Sequence, residues 1–303
     1  MQPVPTPRIV GGVKLFVCLI VLTALAHGEP EKPVPGPAKT DVVRWNAFPG
    51  PDTAPAVTTG EAFVAVPLSS GTWDASQVSF VVATIVEAKP HALIVDSASR
   101  RFEVPGAFVA PKLVPVKLGV GAYVLFPRDP TLAVGRITKA TKVGYTIAYR
   151  AGDAVEHAEG VAASHVLPLD GTLHFGAPVS CGSGLAWYVG PARPKPAAAT
   201  LLSDVLVGGD DPEIWVLSDG ALIRCRAVSP LRVAGFANGA HVLVRGRPYV
   251  TVGGGKSSGM VVPVERATVS SVGDEGLTYE VRVDEGYDWS LTRHVSAGDV
   301  FAR

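Results

Sequence analysis

The chain has 303 residues, with 27 basic and 27 acidic side chains, 33 glycines and 26 prolines. Nucleic-acid binding draws much of its affinity from neutralised phosphates and needs a basic face, so this balance of charge argues against a nucleic-acid partner. The abundance of valine, glycine and proline favours short strands and turns over helices, and we expect an all-β fold.

Residues 1–28 are predicted to be a signal peptide. Arg8 and Lys14 precede an apolar run at 15–26 that ends in small residues, and no acidic residue lies in this segment. A basic start, an apolar core of about 7–15 residues and a small-x-small end are typical of secretory signals. The alternative is an uncleaved anchor, although a membrane span normally needs about 20 apolar residues. We therefore expect an exported protein, periplasmic or extracellular, that touches the membrane only if the signal stays uncleaved.

Residues 29–59 are predicted to be a proline-rich linker. Such a segment cannot bury enough apolar surface to offset the entropy of ordering it, and proline favours an extended chain. The segment is interpreted as a spacer. Within it, the short apolar stretch VVRW at 42–45 is expected to dock against another surface.

The rest of the chain contains a repeat of about sixty residues, which is typical of an array of similar units. Three pairs of segments align: 121–126 with 239–244, 144–150 with 276–282, and 163–166 with 298–301. Two further units are inferred from position and pattern, with openings at 60–65 and 182–189. The predicted units span residues 60–114, 119–170, 182–233 and 237–303.

Each unit is predicted to be a small antiparallel barrel. In the second unit we expect strands at 123–126, 133–140 and 144–150, then a last strand and a single helical turn within 156–166. The third of these strands alternates, with Tyr145, Ile147 and Tyr149 on one face. Closure of the sheet would remove the open edges that a small β domain must otherwise protect.

The pattern G-Y-x-x-x-Y-R-x-G-D at 144–153, followed by H-V-L-P-L at 165–169, resembles the Tudor and SH3-like barrel families. The resemblance implies binding modules, since Tudor-type domains hold methylated side chains in an aromatic cage and bacterial SH3-like domains often bind cell-wall peptides. It also implies a ligand site, where cation–π attraction would act, made of Phe126, Tyr145, Tyr149 and Asp153. The alternative interpretation is that the tyrosines pack the barrel interior.

No arrangement of residues typical of catalysis occurs in the sequence. Its histidines form no H-x-x-x-H pair, and Ser183 lacks the spacing of a nucleophile elbow. The acidic stretch 210–213 is interpreted as a solvated turn rather than a calcium loop. No metal or cofactor is expected. The sequence therefore favours a non-catalytic binding or scaffold protein for cell-envelope material or a protein partner. The alternative is an enzyme whose active site is assembled between repeats.

Cys181 and Cys225 are the cysteines that remain after cleavage of the predicted signal peptide. An oxidising compartment permits a disulfide between them, which would join the two ends of the third unit. The alternative is two separately buried thiols.

The stretch VGGGKSSG at 252–259 partly matches a phosphate-binding loop. That motif needs a glycine five positions before Gly255, where Val250 stands, and a helix after the lysine, where Pro263 follows instead. We therefore predict a hairpin loop, inserted between neighbouring antiparallel strands at 250–252 and 260–264.

Overall fold

A computed structural model of the chain describes residues 42–45, 54–67, 77–97, 100–111, 117–128, 131–182, 184–191, 214–252, 258–285 and 291–303. All of them belong to one compact unit, Lys39–Arg303. The strands form four small sheets and one two-stranded hairpin, and the described residues contain helical structure only as single 3-10 turns. The predicted all-β class is confirmed. The predicted signal peptide lies outside the described residues.

The first sheet contains six strands in the order β1-β5-β4-β3-β2-β6. Its strands are β1 (Val42–Val43), β2 (Gly60–Pro67), β3 (Val78–Ala88), β4 (Ala92–Ser97), β5 (Arg100–Pro105) and β6 (Val109–Pro111). The stretch at 42–45 does dock, because β1 pairs with β5 as the sheet's parallel neighbour. Trp45 then places its ring edge-on to Phe108, with the ring centroids 5.1 Å apart.

The second sheet has the order β10-β9-β8-β7-β11. Its strands are β7 (Tyr123–Arg128), β8 (Thr131–Ala140), β9 (Tyr145–Ala151), β10 (Ala154–Val161) and β11 (Leu167–Pro168). The predicted strands of this unit are present. The predicted single helical turn is also present, as the 3-10 turn Ala163–His165.

The third sheet has the order β15-β14-β13-β12-β16. Its strands are β12 (Pro178–Cys181), β13 (Gly184–Pro191), β14 (Ile214–Ser218), β15 (Ala221–Cys225) and β16 (Val228–Pro230). The segment interpreted as the opening strand of this unit, 182–189, falls instead largely on the second strand, β13. The first strand, β12, follows the tight turn at Gly176.

The fourth sheet has the order β22-β21-β20-β17-β23. In chain order the strands of this region are β17 (His241–Arg245), β18 (Tyr249–Val252), β19 (Ser258–Val261), β20 (Val264–Gly273), β21 (Thr278–Glu285), β22 (Thr292–Ser296) and β23 (Val300–Ala302). Strands β18 and β19 pair antiparallel, as predicted for the segments that flank the loop. They form a separate hairpin between β17 and β20 and not two strands of the fourth sheet, and Val264 begins β20. The tip of that hairpin, with Lys256, lies outside the described residues.

The four sheets repeat one connectivity. A four-strand meander lies in the order fourth, third, second, first, and a short fifth strand returns to pair with the first. The second, third and fourth sheets also open alike: Gly121, Gly176 and Gly239 each adopt positive φ, and each donates its N–H to a carbonyl on the second strand of its sheet. Glycine suits this turn because other residues are strained at positive φ. A repeated unit is therefore present, while its description as an SH3-like barrel stays a prediction.

The sheets pack in a closed ring in the order first, second, fourth, third. Strand β3 contacts β8, which joins the first and second sheets, and Tyr123 of the second sheet donates to the Gly276 carbonyl of the fourth at 2.6 Å. The fourth sheet meets the third where Leu185 N–H donates to Val262 O at 2.7 Å. The third meets the first where Val78 N–H donates to Gly220 O at 2.7 Å.

The connections between sheets contribute to a shared core. Val233 lies on the connection from the third sheet to the fourth, and its N–H donates to Leu169 O at 2.9 Å. Leu169 lies on the connection from the second sheet to the third, so the two connections pair. Phe175, on the latter connection, packs against Phe80 and Phe63 of the first sheet at centroid distances of 4.7 and 6.5 Å. One hydrophobic core therefore takes side chains from all four sheets. Burial of this shared apolar surface holds the ring together.

A disulfide joins Cys181 at the end of β12 to Cys225 at the end of β15, with Cα atoms 6.0 Å apart, as predicted. It connects the first and fourth strands of a sheet in which they are not neighbours, so the third sheet curls round on itself. The other sheets have a 3-10 turn before their fifth strand, at Gly106–Phe108, Ala163–His165 and Ala297–Asp299. In the third sheet the disulfide lies at the equivalent place, because Cys225 ends the fourth strand just before the fifth. A disulfide indicates an oxidising compartment.

A buried tyrosine pair joins the second and fourth sheets. The Tyr123 and Tyr279 hydroxyls lie 3.0 Å apart, and Tyr123 also donates to the Gly276 carbonyl. Burial, and secondarily the hydrogen bond with Tyr279, raises the pKa of Tyr123 well above its ordinary value. Ionisation would place a charge in a site that has little water. The contact between the two sheets therefore requires Tyr123 to keep its hydroxyl proton, which it donates to the Gly276 carbonyl.

We expect stability to fall at alkaline pH partly through Tyr123. Its pKa is about 10 in the unfolded chain and higher in the folded protein, so its contribution is complete below about pH 10 and is lost as pH rises towards the folded value. Tyr123→Phe should reduce this loss between pH 9 and 11 in urea unfolding, at a cost of about 1–3 kcal/mol at neutral pH for the unpaired Gly276 carbonyl. Tyr249→Phe, at an exposed tyrosine, is the control. An unchanged pH profile in Tyr123→Phe would contradict this assignment.

Candidate functional site

Three of the residues predicted to bind a ligand lie together in the interior of the second sheet. Phe126, Tyr145 and Tyr149 are 1, 5 and 7% exposed and belong to one apolar cluster. The Phe126 and Tyr149 rings meet edge-on with centroids 5.3 Å apart. The Tyr145 hydroxyl accepts a hydrogen bond from Leu118 N–H at 3.0 Å. This packing agrees with the alternative interpretation, in which the tyrosines fill the unit's interior, and ligand binding by these residues stays a prediction.

The Tyr149 hydroxyl reaches the surface of the second sheet. It donates to Glu156 at 2.5 Å, and the Arg128 guanidinium lies 4.4 Å from the Tyr149 ring centroid. The hydrogen bond to Glu156 is the main cause of a raised Tyr149 pKa. A cation from the protein itself therefore occupies the ring face that a bound cation would use in the predicted cage.

Asp153, the fourth residue of the predicted site, lies apart from the aromatic cluster. It stands on the turn between β9 and β10 with its side chain in solvent, 3.4 Å from Arg150. Arg150 also contacts Asp274 of the fourth sheet at 2.8 Å. Arg150 therefore connects the second sheet to the fourth. It also lines a groove that was not predicted from the sequence.

The junction groove lies where the second, third and fourth sheets meet and has a volume of about 260 Å³. Strands β8 and β9, strand β13 and the 3-10 turn Ala297–Asp299 supply most of its lining. The residues that line it are Ala133, Val134, Arg150, Trp187, Leu277, Ser296, Ala297, Gly298 and Asp299. At its base Gly298 packs on Val134, where a Cβ would lie 2.9 Å from a Val134 methyl group.

Opposite charges flank the junction groove. Burial raises the pKa of Asp299, and Arg245, with a nitrogen 3.6 Å from the carboxylate, offsets only part of this effect. Arg245 also binds Asp219 of the third sheet at 2.7 Å, so its charge is shared between two carboxylates. Arg150 supplies a cation to the lining. The groove therefore offers an apolar floor, an indole, a guanidinium and a carboxyl group.

A second depression, the cationic groove, lies on the outer face of the fourth sheet and has a volume of about 290 Å³. Its lining consists of His241, Val242, Arg266, Ala267, Thr268, Arg282, Asp284 and Arg303. Most of the polar members stand on neighbouring strands in register, since Thr268 of β20 pairs with His241 of β17 and with Arg282 of β21.

The polar residues of the cationic groove resemble a catalytic triad in composition but are not hydrogen-bonded like one. Thr268 donates its hydroxyl proton to Asp284 at 2.6 Å. The hydroxyl has one proton, so the contact with His241 Nδ1 at 3.1 Å is donated by the imidazole. In this arrangement Nδ1 of His241 does not accept the Thr268 proton, as the base of a triad would. The arrangement holds the imidazole in place rather than preparing a nucleophile.

Neither groove could be found from the sequence, because their residues come from strands far apart in the chain. For the cationic groove the sequence does contain one partial signal, an alternation of polar residues on β20 and β21. It places Arg266, Thr268, Arg282 and Asp284 on one face of the sheet. Among the residues that the structure describes, no three or more histidine, cysteine, aspartate or glutamate side chains are placed to hold a metal ion. In the same part of the chain no helix has the length and apolar character to cross a bilayer.

Neither the models of known protein families nor the curated proteins contain a match to this chain. The assignment of function therefore depends on the geometry of the two grooves and on the repeated sheet.

Proposed function

We propose that this chain is an exported, non-catalytic binding protein made of four SH3-like barrels, which holds a peptide segment of a cell-wall or protein partner in the junction groove. The strand order, with a meander closed by a short fifth strand, supports the barrel description. The disulfide between the ends of the first and fourth strands of the third sheet supports it further.

One observation carries the proposal: the fourfold repeated sheet encloses a single core and leaves a mixed apolar and charged groove at the junction of three sheets. A peptide offers side chains for an apolar floor, and amide and charged groups for Arg150 and Asp299. Trp187 adds an indole, and tryptophan and arginine are enriched among residues that anchor binding partners. The size of the groove suits a few residues of an extended chain rather than a whole domain.

The alternative of an enzyme assembled between repeats has less support. Ser296 is a hydroxyl residue of the junction groove, but the lining described there contains no histidine or cysteine that could serve as its base or as a nucleophile. In the cationic groove the hydroxyl proton of Thr268 is donated to Asp284. Binding without chemistry therefore agrees best with both grooves.

The proposal is tested by retention of the purified protein on cell-wall sacculi and, separately, on solubilised envelope proteins. Ser296→Trp adds an indole at an exposed position of the junction groove and removes no core packing. We expect it to weaken binding at least tenfold, because a peptide would lose the space it occupies. Ser229→Trp, at an exposed residue of β16 outside the groove, should bind normally.

Circular dichroism and the urea midpoint of both variants establish that each is folded. The proposal is wrong if folded Ser296→Trp binds as tightly as the parent protein, or if neither the sacculi nor the envelope proteins retain the parent. Retention on one of the two materials identifies the source of the peptide.

A further inference from the structure

We propose that the cationic groove on the fourth sheet binds a phosphate group. This site is separate from the junction groove and does not depend on the proposed peptide binding. It rests on the placement of three arginines and one histidine around a single depression of about 290 Å³.

Strand register brings these side chains together. Thr268 lies between His241 and Arg282 across three paired strands, and Arg266 lies two residues earlier on the strand of Thr268. Because side chains alternate along a strand, residues two apart share a face. Arg303 follows β23, whose Ala302 pairs with Val242 beside His241. The sheet therefore fixes the spacing of the cationic groups.

The charge of the groove matches that of a phosphate group. The side chains that line it include three arginines and one acidic group, a formal side-chain sum of 3 − 1 = +2 with neutral His241. A phosphate monoester carries about −1.5 to −2 at neutral pH. The match favours a dianion over a neutral sugar or a cation.

The number of donors favours phosphate over a single carboxylate. Each guanidinium presents five N–H donors in a planar fork, so an arginine that already has a protein partner can still bind a ligand. Arg282 approaches Asp284 through Nε, at 3.7 Å, and its side chain is 62% exposed. A phosphate offers three or four oxygens on one atom to three guanidinium groups, whereas each carboxylate offers two, and a dicarboxylate divides its four between two separate groups.

Asp284 organises the site instead of blocking it. It accepts the Thr268 hydroxyl and lies 3.9 Å from His241 Nδ1. Its carboxylate therefore faces protein donors on two neighbouring strands. Because Nδ1 of His241 donates to Thr268, Nε2 of the neutral imidazole has no proton to give a phosphate, and the donors of the uncharged-histidine site are the arginines. A protonated His241 would add a further donor and a further positive charge.

The experiment is calorimetric titration of the whole protein with three probes: inorganic phosphate, a glycerol phosphate polymer and malonate, at fixed low salt. We expect saturable binding of a phosphate probe and at least tenfold weaker binding of malonate. The double variant Arg282→Ala/Arg303→Ala should weaken phosphate binding at least tenfold. Arg226→Ala, at an exposed arginine between β15 and β16, should leave it unchanged.

Equal affinity for inorganic phosphate and for the polymer per phosphate indicates a free phosphate as the ligand, and tighter binding of the polymer indicates a phosphate carried on a chain. The inference is overturned if no phosphate probe binds, if malonate binds as tightly as phosphate, or if the double variant retains the parent affinity while folded. Ser296→Trp should keep phosphate binding, so this result is separable from the test of the junction groove.

Discussion

Loss of the Cys181–Cys225 disulfide is expected to lower the free energy of unfolding by about 4 kcal/mol. The bond closes a loop over a sequence separation of 44 residues, and the chain-entropy relation gives about this value for such a loop. Cys225 is also buried against the interior of the third sheet. The structural consequence should be local, because the bond joins two strands that share no backbone hydrogen bonds.

The variant Cys181→Ala/Cys225→Ala, compared with the parent by urea unfolding, measures this effect. Reductant should lower the parent's midpoint towards that of the variant and should leave the variant itself unchanged, which makes the variant its own control. Hydrogen exchange should quicken first in β15 and β16. Equal midpoints for oxidised parent and variant would show that the bond contributes nothing to the stability of the ring.

Gly190→Ala is expected to destabilise the protein by about 3 kcal/mol, at the upper end of the range for overpacking. Gly190 lies at an irregularity of β13 where the third sheet touches the first, and a Cβ there would overlap the carbonyl oxygen of Ala107. Backbone atoms on both sides would have to separate. Nearby, the Phe108 ring contacts Trp215 edge-on at a centroid distance of 5.5 Å, so the same displacement would loosen an aromatic contact.

Gly119→Ala is the matched control, since a Cβ at Gly119 would meet no atom within 4 Å. Urea unfolding of both variants should separate them by about 3 kcal/mol. If Gly190→Ala were as stable as Gly119→Ala, the close approach of the first and third sheets would not contribute to the stability of the ring.

The sequence predicted the strands well where local signals were strong. In the second unit, alternation in Tyr145, Ile147 and Tyr149 and the break after Ala151 correspond to β9 and its turn. The antiparallel pairing in the inserted hairpin was also predicted, because glycine and serine between two apolar runs specify a turn without any distant contact, whereas its separation from the fourth sheet was not. These features depend on residues close together in the chain.

The start of the third unit was predicted at the wrong glycine, for a physical reason. Gly182 and Gly176 both adopt positive φ, and each precedes an apolar strand, so local pattern alone does not distinguish them. Gly176 opens the sheet because its N–H bonds to Tyr188 O and because Leu125 and Leu167 of the second sheet pack against it. Those partners belong to a different strand and a different sheet, and the turn pattern does not specify them.

The sequence by itself determined the all-β class and the repeated unit, because these depend on alternation and turn residues, and it predicted the pairing of the two cysteines without excluding two separately buried thiols. Only the tertiary structure decided the order of the ring, in which the second sheet contacts the fourth through Tyr123 and Gly276. It also decided which side chains meet in the two grooves. Contacts between such distant residues depend on how the faces of the folded sheets pack against one another. The period of two along a strand shows which residues share a face, but it does not specify the surface against which that face packs.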